Sequence, residues 1–222
     1  MTDIREYLAR KPLLFDGGMG TYYKAAPGAD CEMANLTDPE GVKKVHAEYL
    51  AAGAQAIKTN TFGLPRMAAA QMPGWEELAE AGWKLACDAA AEKDAVVFAD
   101  LGPALDTEAA PASSAYGLAA QQFAALGAKN FLFETLSSDV GVVEAVKALR
   151  VAVPDAFVMV SFAVLPDGYT REGLLFRDLL RRMEQSGVVD AVGLNCVSAP
   201  GAMKKLVQSL GETHFSPTAS TT

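Results

Sequence analysis

Short apolar runs alternate with longer amphipathic segments along the whole chain, and that alternation limits the fold more than any other feature. "PLLFDGG" reads as a strand ending in a Gly-rich turn, and "DPEGVKKVHAEYLAAGA" as the helix after it. Asp38 stands at the N-cap of that helix, Pro39 at its first position and Gly53 past its end. "AQAIKTNTF", "AVVFADLGP", "NFLFETLS", "AFVMVSFAVLPDG" and "DAVGLNCV" are the next five strands. Helices fall between them at "GWEELAEAGWKLACDAAAE", "AYGLAAQQFAALGA", "VGVVEAVKALRVAV" (capped by Ser137, Ser138 or Asp139) and "LLFRDLLRRMEQSG". "PGAMKKLVQSLGE", opened by Pro200, closes the series. Strands at intervals of roughly 30 to 40 residues with helices between them specify parallel βαβ units with right-handed crossovers. The strands are almost continuously apolar, as expected for a sheet covered on both faces. A (β/α)8 barrel and an open doubly wound sheet both satisfy this pattern.

With 222 residues, half of them hydrophobic, the chain has material for one domain with a substantial core, expected to span residues 1–222. Its 19 basic against 27 acidic residues give a net charge of -8, and no Lys/Arg stripe breaks that balance. An acidic surface repels phosphate backbones, so no nucleic-acid partner is expected. No apolar run reaches membrane-spanning length and the N-terminus lacks a signal-peptide core, so no membrane partner is expected and a cytoplasmic location is. Cys31, Cys87 and Cys196 are few, odd in number and widely spaced, which fits a reducing compartment.

In either architecture, chemistry belongs at the carboxyl ends of the strands. Those ends read Asp16-Gly17-Gly18, Thr59-Asn60-Thr61, Asp100-Leu101-Gly102, Glu134-Thr135, Ser161-Phe162 and Asn195-Cys196. Turn residues are common where chains leave sheets, so Asp16 before two glycines is also an ordinary turn former. "DGGMG" lacks the G-x-G-x-x-G spacing of a dinucleotide site. Glu134 directly follows "FLF", where a half-buried carboxylate needs a partner. In a barrel, Asp16 and Glu134 face the same mouth and jointly suit a cationic group such as an amino-acid ammonium. Backbone amides near Gly17 and Gly18 suit a carboxylate.

"LLFDGGMGT", "HAEYLAAGAQAIKTNTFG", "FLFETL", "VSFAVLPDG" and "VGLNC", in this order and at these intervals, resemble the homocysteine S-methyltransferase family. That family includes the homocysteine-binding module of cobalamin-dependent methionine synthase and the betaine-dependent enzyme. The match runs from about residue 11 to 200. The resemblance implies an α/β fold of the (β/α)8 TIM-barrel type, with about six complete βα units and a partial seventh in this chain. It implies methyl transfer to homocysteine, giving methionine, with zinc held by three thiolates keeping the substrate sulfur ionised. It implies that Asp16 and Glu134 hold the substrate ammonium, that the backbone around Gly17 receives the carboxylate, that Asn60 belongs to the same substrate site, and that Cys196 is a zinc ligand.

The family's Gly-Gly-Cys-Cys motif, which supplies the other two thiolates after strand eight, does not occur in this sequence. "SPTAS" faintly echoes the family's strand-seven segment, with Thr218 and Ser220 at its key positions, so the chain is expected to reach strand seven and lack strand eight. Cys31 lies in a loop on the mouth side and reads as an ordinary loop thiol. Cys87 reads as helix packing, His46 as a packed helix residue, and His214 as entering strand seven from the wrong end. The isolated chain is therefore expected to bind zinc weakly or not at all. Open barrel edges beside strand residues such as Ile57, Val97 and Val158 are expected to promote self-association. Two functional readings follow. One is a methyltransferase whose remaining thiolates and methyl donor, or corrinoid-bearing domain, lie on another chain. The alternative is a catalytically dead barrel fragment or partner subunit that keeps an amino-acid pocket. The donor itself (methylcobalamin, betaine or S-methylmethionine) is not legible.

Overall fold

The computed structural model describes residues 4–23, 31–108 and 110–210, so the segment expected to form strand seven, with His214, Thr218 and Ser220, lies outside the described residues. Helix α1 (Ile4–Leu8) precedes Phe15, which makes a single parallel bridge to Ala56. Helices α2 (Met19–Tyr22), α3 (Ala34–Thr37) and α4 (Pro39–Ala51) then lead to strand β1 (Ala56–Lys58). After α5 (Leu64–Ala69) and α6 (Trp75–Ala91) come β2 (Val96–Leu101), α7 (Ala112–Ala125), β3 (Asn130–Leu136), α8 (Val142–Ala152) and β4 (Phe157–Ala163). The series ends with α9 (Phe176–Ser186), β5 (Ala191–Asn195) and α10 (Pro200–Gln208).

The sheet runs β1-β2-β3-β4-β5, every neighbouring pair parallel. A doubly wound sheet reverses its strand order at a switch point, whereas a barrel adds each strand beside the last. The unbroken order, preceded by the Phe15 bridge, is the barrel type of winding.

The first expected strand differs from its reading: only Phe15 pairs in the manner of a strand. Gln55 supplies its side-chain carbonyl to the Leu14 amide, and the Asp16 carboxylate, not a main-chain carbonyl, accepts the Lys58 amide. Leu14 O still accepts the Gln55 and Ala56 amides and Ala56 O the Asp16 amide, and side chains extend this short ladder where Gly17 and Gly18 turn the chain away. Helix α4 begins as expected, with the Asp38 carboxylate accepting the Gly41 amide at 3.1 Å and Pro39 at the first position. Helix α8 does not begin on a Ser or Asp cap. Gly141 precedes it at φ +78°, and a Cβ there would meet the Ser113 backbone. Close approach of α7 therefore demands glycine where a capping side chain would otherwise sit.

Side-chain alternation divides the core. Ala56, Val96, Phe98, Leu132, Phe157 and Met159 point inward and form one cluster with Ile4, against which Leu8, Leu13 and Phe15 pack. Ile57 and Val97 point outward onto α4 and α6, meeting Leu50, Ala86 and Ala90, with half-buried Cys87 beside them. Val158 packs in the large outer cluster with Phe131, Phe133 and helices α7 to α9. The residues Ile57, Val97 and Val158 thus face the helical layer and are buried. On the last described strand, by contrast, Ala191, Val192 and Gly193 are only half-buried. No described helix is long and apolar enough to cross a membrane.

Beneath the inner cluster, a charged knot fastens α1 to the amino ends of β4 and β5. Arg5 donates to Asp190 Oδ1 at 2.7 Å and lies over the Phe157 ring at 5.3 Å. Asp190 Oδ2 accepts from Arg150 at 2.7 Å and from the Val158 amide at 2.8 Å. Replacing Asp190 by Ala removes the carboxylate shared by two guanidinium groups, which keep only main-chain acceptors, and leaves the Val158 amide without its acceptor, and urea unfolding should show a loss of about 2 kcal/mol. His46 is fully buried in α4, and burial pushes its imidazole down to about 4. The unfolded chain therefore takes up that proton first, so stability is complete above about pH 6.5 and is lost as pH falls towards 4. His46→Leu should flatten this part of the urea-midpoint profile relative to the unchanged protein.

Candidate functional site

Inward-pointing side chains change character at one level of the sheet. Phe98, Leu132 and Met159 form an apolar floor, and two residues further along the same strands stand Asp100, Glu134 and Ser161. Lys58 on β1 and Asn195 on β5 complete this layer, and Asp16 joins it from the turn after Phe15. All six are buried. The carboxyl ends of five strands and the first turn thus carry a polar, charged layer above an apolar one.

The Lys58 ammonium lies 3.4 Å from both oxygens of Glu134. Burial lowers the affinity of this amine for its proton, but Glu134, Asp100 and Asp16 together outweigh burial and hold it above the ordinary lysine range. Asp16 is fastened by its own amide to Ala56 O at 2.9 Å and by Oδ2 to the Lys58 amide at 3.1 Å. Burial pushes the Asp16 carboxyl up to about 7 against the opposing pull of Lys58. Burial, reinforced by Glu134, raises Asp100 well above the usual carboxylate range. Asp16 Oδ1, Asp100 Oδ1 and Ser161 Oγ are buried without a hydrogen-bond partner among the described residues.

Asn195 joins β3 to β5 across β4. Its amide donates to Glu134 Oε2 and Thr135 Oγ1, both at 2.9 Å, and its carbonyl accepts the Thr135 amide at 3.0 Å. The β3–β4 register shifts between Phe133 and Leu136, and Thr135 sits at φ +61°. Cys196 and Val197, directly after Asn195, also have positive φ, at 56° and 53°. Such backbone costs on the order of 1–3 kcal/mol per residue and persists where surrounding contacts hold it in place. Here the Asn195 clamp does so, and the kinks aim Glu134 inward and leave the Cys196 thiol exposed on the rim.

The structure brings Asp16 and Glu134 into one cluster, as their strand-end positions suggested, with Lys58 between them. Gly17 lies beneath Tyr49, whose hydroxyl would be 2.6 Å from any Cβ placed there, so a side chain at this position requires the Tyr49 ring to move. Asn60 is turned elsewhere. Its amide donates to Cys31 O at 2.8 Å and Asn35 Oδ1 at 3.0 Å, and its carbonyl accepts from the Cys31 thiol at 3.3 Å. These bonds brace the loop around residues 31–35 against the end of β1. Lys58 was missed by sequence reasoning, although a lysine ending the apolar run "AQAIK" is a signal: such a cation requires buried acids. Among the described residues, no group of three or more His, Cys, Asp or Glu side chains is placed to hold a metal ion. The thiolate set that the resemblance implies for zinc is therefore not assembled by these residues.

A barrel-wound parallel sheet carrying buried charge at its carboxyl ends defines a β/α-barrel protein. The family model for homocysteine S-methyltransferase matches residues 13–221, and the chain belongs to that family. Methionine synthase of Mycobacterium tuberculosis is 29% identical over 237 aligned positions, and that of Mycobacterium leprae 28% over 239. The alignments cover 94% and 95% of this chain but only 20% of each relative, so the chain spans about a fifth of their length. The homocysteine methyltransferase MmuM from Escherichia coli shares the fold. Its apo form superposes with a TM-score of 0.70 at 24% identity, over 94% of this chain and 81% of that one. Its metallated form gives 0.74 at 20% identity, over 94% and 83%.

Removing the resident cation tests the electrostatics. Lys58→Met leaves Asp16, Asp100 and Glu134 without compensation. Urea unfolding at pH 8 should show a loss of about 3 kcal/mol, shrinking towards pH 5 as the raised carboxyls take up protons.

Proposed function

We propose that this chain binds homocysteine at the charged layer and takes part in methyl transfer to its sulfur, giving methionine. The observation that carries this reading is the buried layer of Asp16, Lys58, Asp100 and Glu134 at the strand ends of a chain belonging to this family. Three carboxyls share one ammonium, and burial holds Asp16 and Asp100 towards their protonated forms, so a ligand that brings its own ammonium is favoured because it stabilises their ionised forms. Asp16 and Glu134 supply the negative potential for it. The backbone at Gly17 and Gly18, two residues without side chains of their own, is read as receiving the ligand carboxylate. A ligand anchored at both groups extends its thiol towards the rim where Cys196 emerges from β5.

The work proposed for this chain's own residues is binding and orientation. Anchoring ammonium and carboxylate removes the rotational freedom that a flexible thiol would otherwise lose in the transition state. Zinc, where held by thiolates, keeps a bound thiol ionised near neutral pH. Cys196 is the candidate ligand for it here, and the remaining thiolates and the methyl donor, or a corrinoid-bearing domain, are assigned to protein outside these residues. The whole barrel is read as one homocysteine-binding domain in the cytoplasm. Self-association through barrel edges belongs to the same reading.

Titration calorimetry with L-homocysteine should show one molecule bound per chain, weakened at least tenfold by Asp16→Asn; no binding by the unchanged chain overturns the reading. Elemental analysis of protein purified without added metal should find well under one zinc per chain, unaltered by Cys196→Ser. Close to one zinc, lost in that variant, would place a complete metal site in this chain.

A further inference from the structure

Glu134 is the acid that sequence position singles out for a ligand ammonium, yet its oxygens are already engaged. Both lie 3.4 Å from the Lys58 ammonium, and Oε2 also accepts from Asn195 at 2.9 Å. The acceptors without donors are elsewhere in the same layer. Asp100 Oδ1 and Asp16 Oδ1 are buried and have no hydrogen-bond partner among the described residues. Asp100 is 4% exposed and Asp16 5%. Asp100 stands on the inward face of β2, between β1, which carries Lys58, and β3, which carries Glu134. Ser161 Oγ, likewise unpartnered, is at the same level on β4.

A buried carboxyl oxygen with no donor is costly, and proteins rarely keep one without a ligand, an ion or water to satisfy it. Lys58 lies in the field of both carboxyls but makes no hydrogen bond to these two atoms, its ammonium lying against Glu134. What they lack is a compact group with several N–H donors and a positive charge. A primary ammonium provides three such donors.

We propose that Asp100, together with Asp16, receives the ammonium of the bound amino acid, and that Lys58 is a resident cation keeping Glu134 occupied. This assignment rests on the reading of the layer as an amino-acid site, and it changes which residues touch the ligand. Glu134 then acts through Lys58 as a positioning residue, and Asp100 becomes a specificity determinant for ligands bearing an amine.

The test uses the full chain and three probes: L-homocysteine, 4-mercaptobutyrate, which lacks the ammonium, and n-butylammonium chloride, which offers little else. Asp100→Asn is close in shape and cannot ionise, and circular dichroism checks that it folds. It should weaken L-homocysteine at least tenfold and leave 4-mercaptobutyrate unchanged. Equal affinity of the variant and the unchanged chain for L-homocysteine overturns the assignment. The second measurement follows the Asp100 carboxyl carbon by 13C NMR in aspartate-labelled unchanged protein, assigned with Asp100→Asn or Asp100→Glu. Millimolar n-butylammonium should shift that resonance, and sodium chloride at the same ionic strength should not. No shift overturns the assignment, whether or not homocysteine binds. A shift without homocysteine binding retains Asp100 as an ammonium receptor and removes the homocysteine reading alone.

Discussion

Lys58 and Glu134 face each other across 3.4 Å inside the barrel, and the upper half of the molecule is arranged around that pair. Neither charge is affordable alone at that depth: an isolated buried ion is neutralised or expelled, and pairing holds it only when further hydrogen bonds complete the site. The Asn195 amide completes Glu134, and the Asp16 carboxylate takes the Lys58 amide. Two more carboxyls share the field of a single ammonium. The consequence is a layer in which Asp16 and Asp100 have raised affinity for protons and acceptors are left open.

The apolar floor gives the layer its properties. Phe98, Leu132 and Met159 deny solvent access from below, so the charges above them interact at low dielectric. Beneath the floor, the Arg5–Asp190–Arg150 knot closes the amino end of the sheet. The two charged assemblies have different tasks. The lower one has its acceptors filled and joins α1, α8 and β5, so it contributes stability. The upper one leaves Asp16 Oδ1, Asp100 Oδ1 and Ser161 Oγ open at the end where β/α barrels carry their chemistry. Backbone kinks at Thr135, Cys196 and Val197 gather at that end as well.

Much of this could be read in advance. The alternation of "AQAIK", "AVVFADL", "NFLFETL" and "AFVMVSF" with amphipathic segments determines a parallel βα series, because each apolar run is too short for a helix and too apolar for an open surface. Asp38 and Pro39 announced α4 correctly, since a cap acts within one turn of its own chain. The cap of α8 was misread because Gly141 answers to the Ser113 backbone of another helix. The first strand was over-read for a similar reason. Its main-chain ladder stops at one bridge and is extended by Gln55 and Asp16 side chains, and local propensity contains no information about which acceptor an amide will find.

For the site, the sequence by itself determined that Asp16 and Glu134 stand at strand ends, and family motifs tied them to one chemistry. Tertiary structure alone decided that Lys58 lies between them, that Asn60 turns to Cys31 and Asn35, and that Asp100 keeps an open oxygen. The physical reason is that strand position fixes the end of the sheet on which a residue stands, through a period of two that any reader of the chain can count. Which charge neutralises which depends on distances of 3 to 4 Å between strands, and those are set only when Lys58, Asp100 and Glu134 are brought side by side.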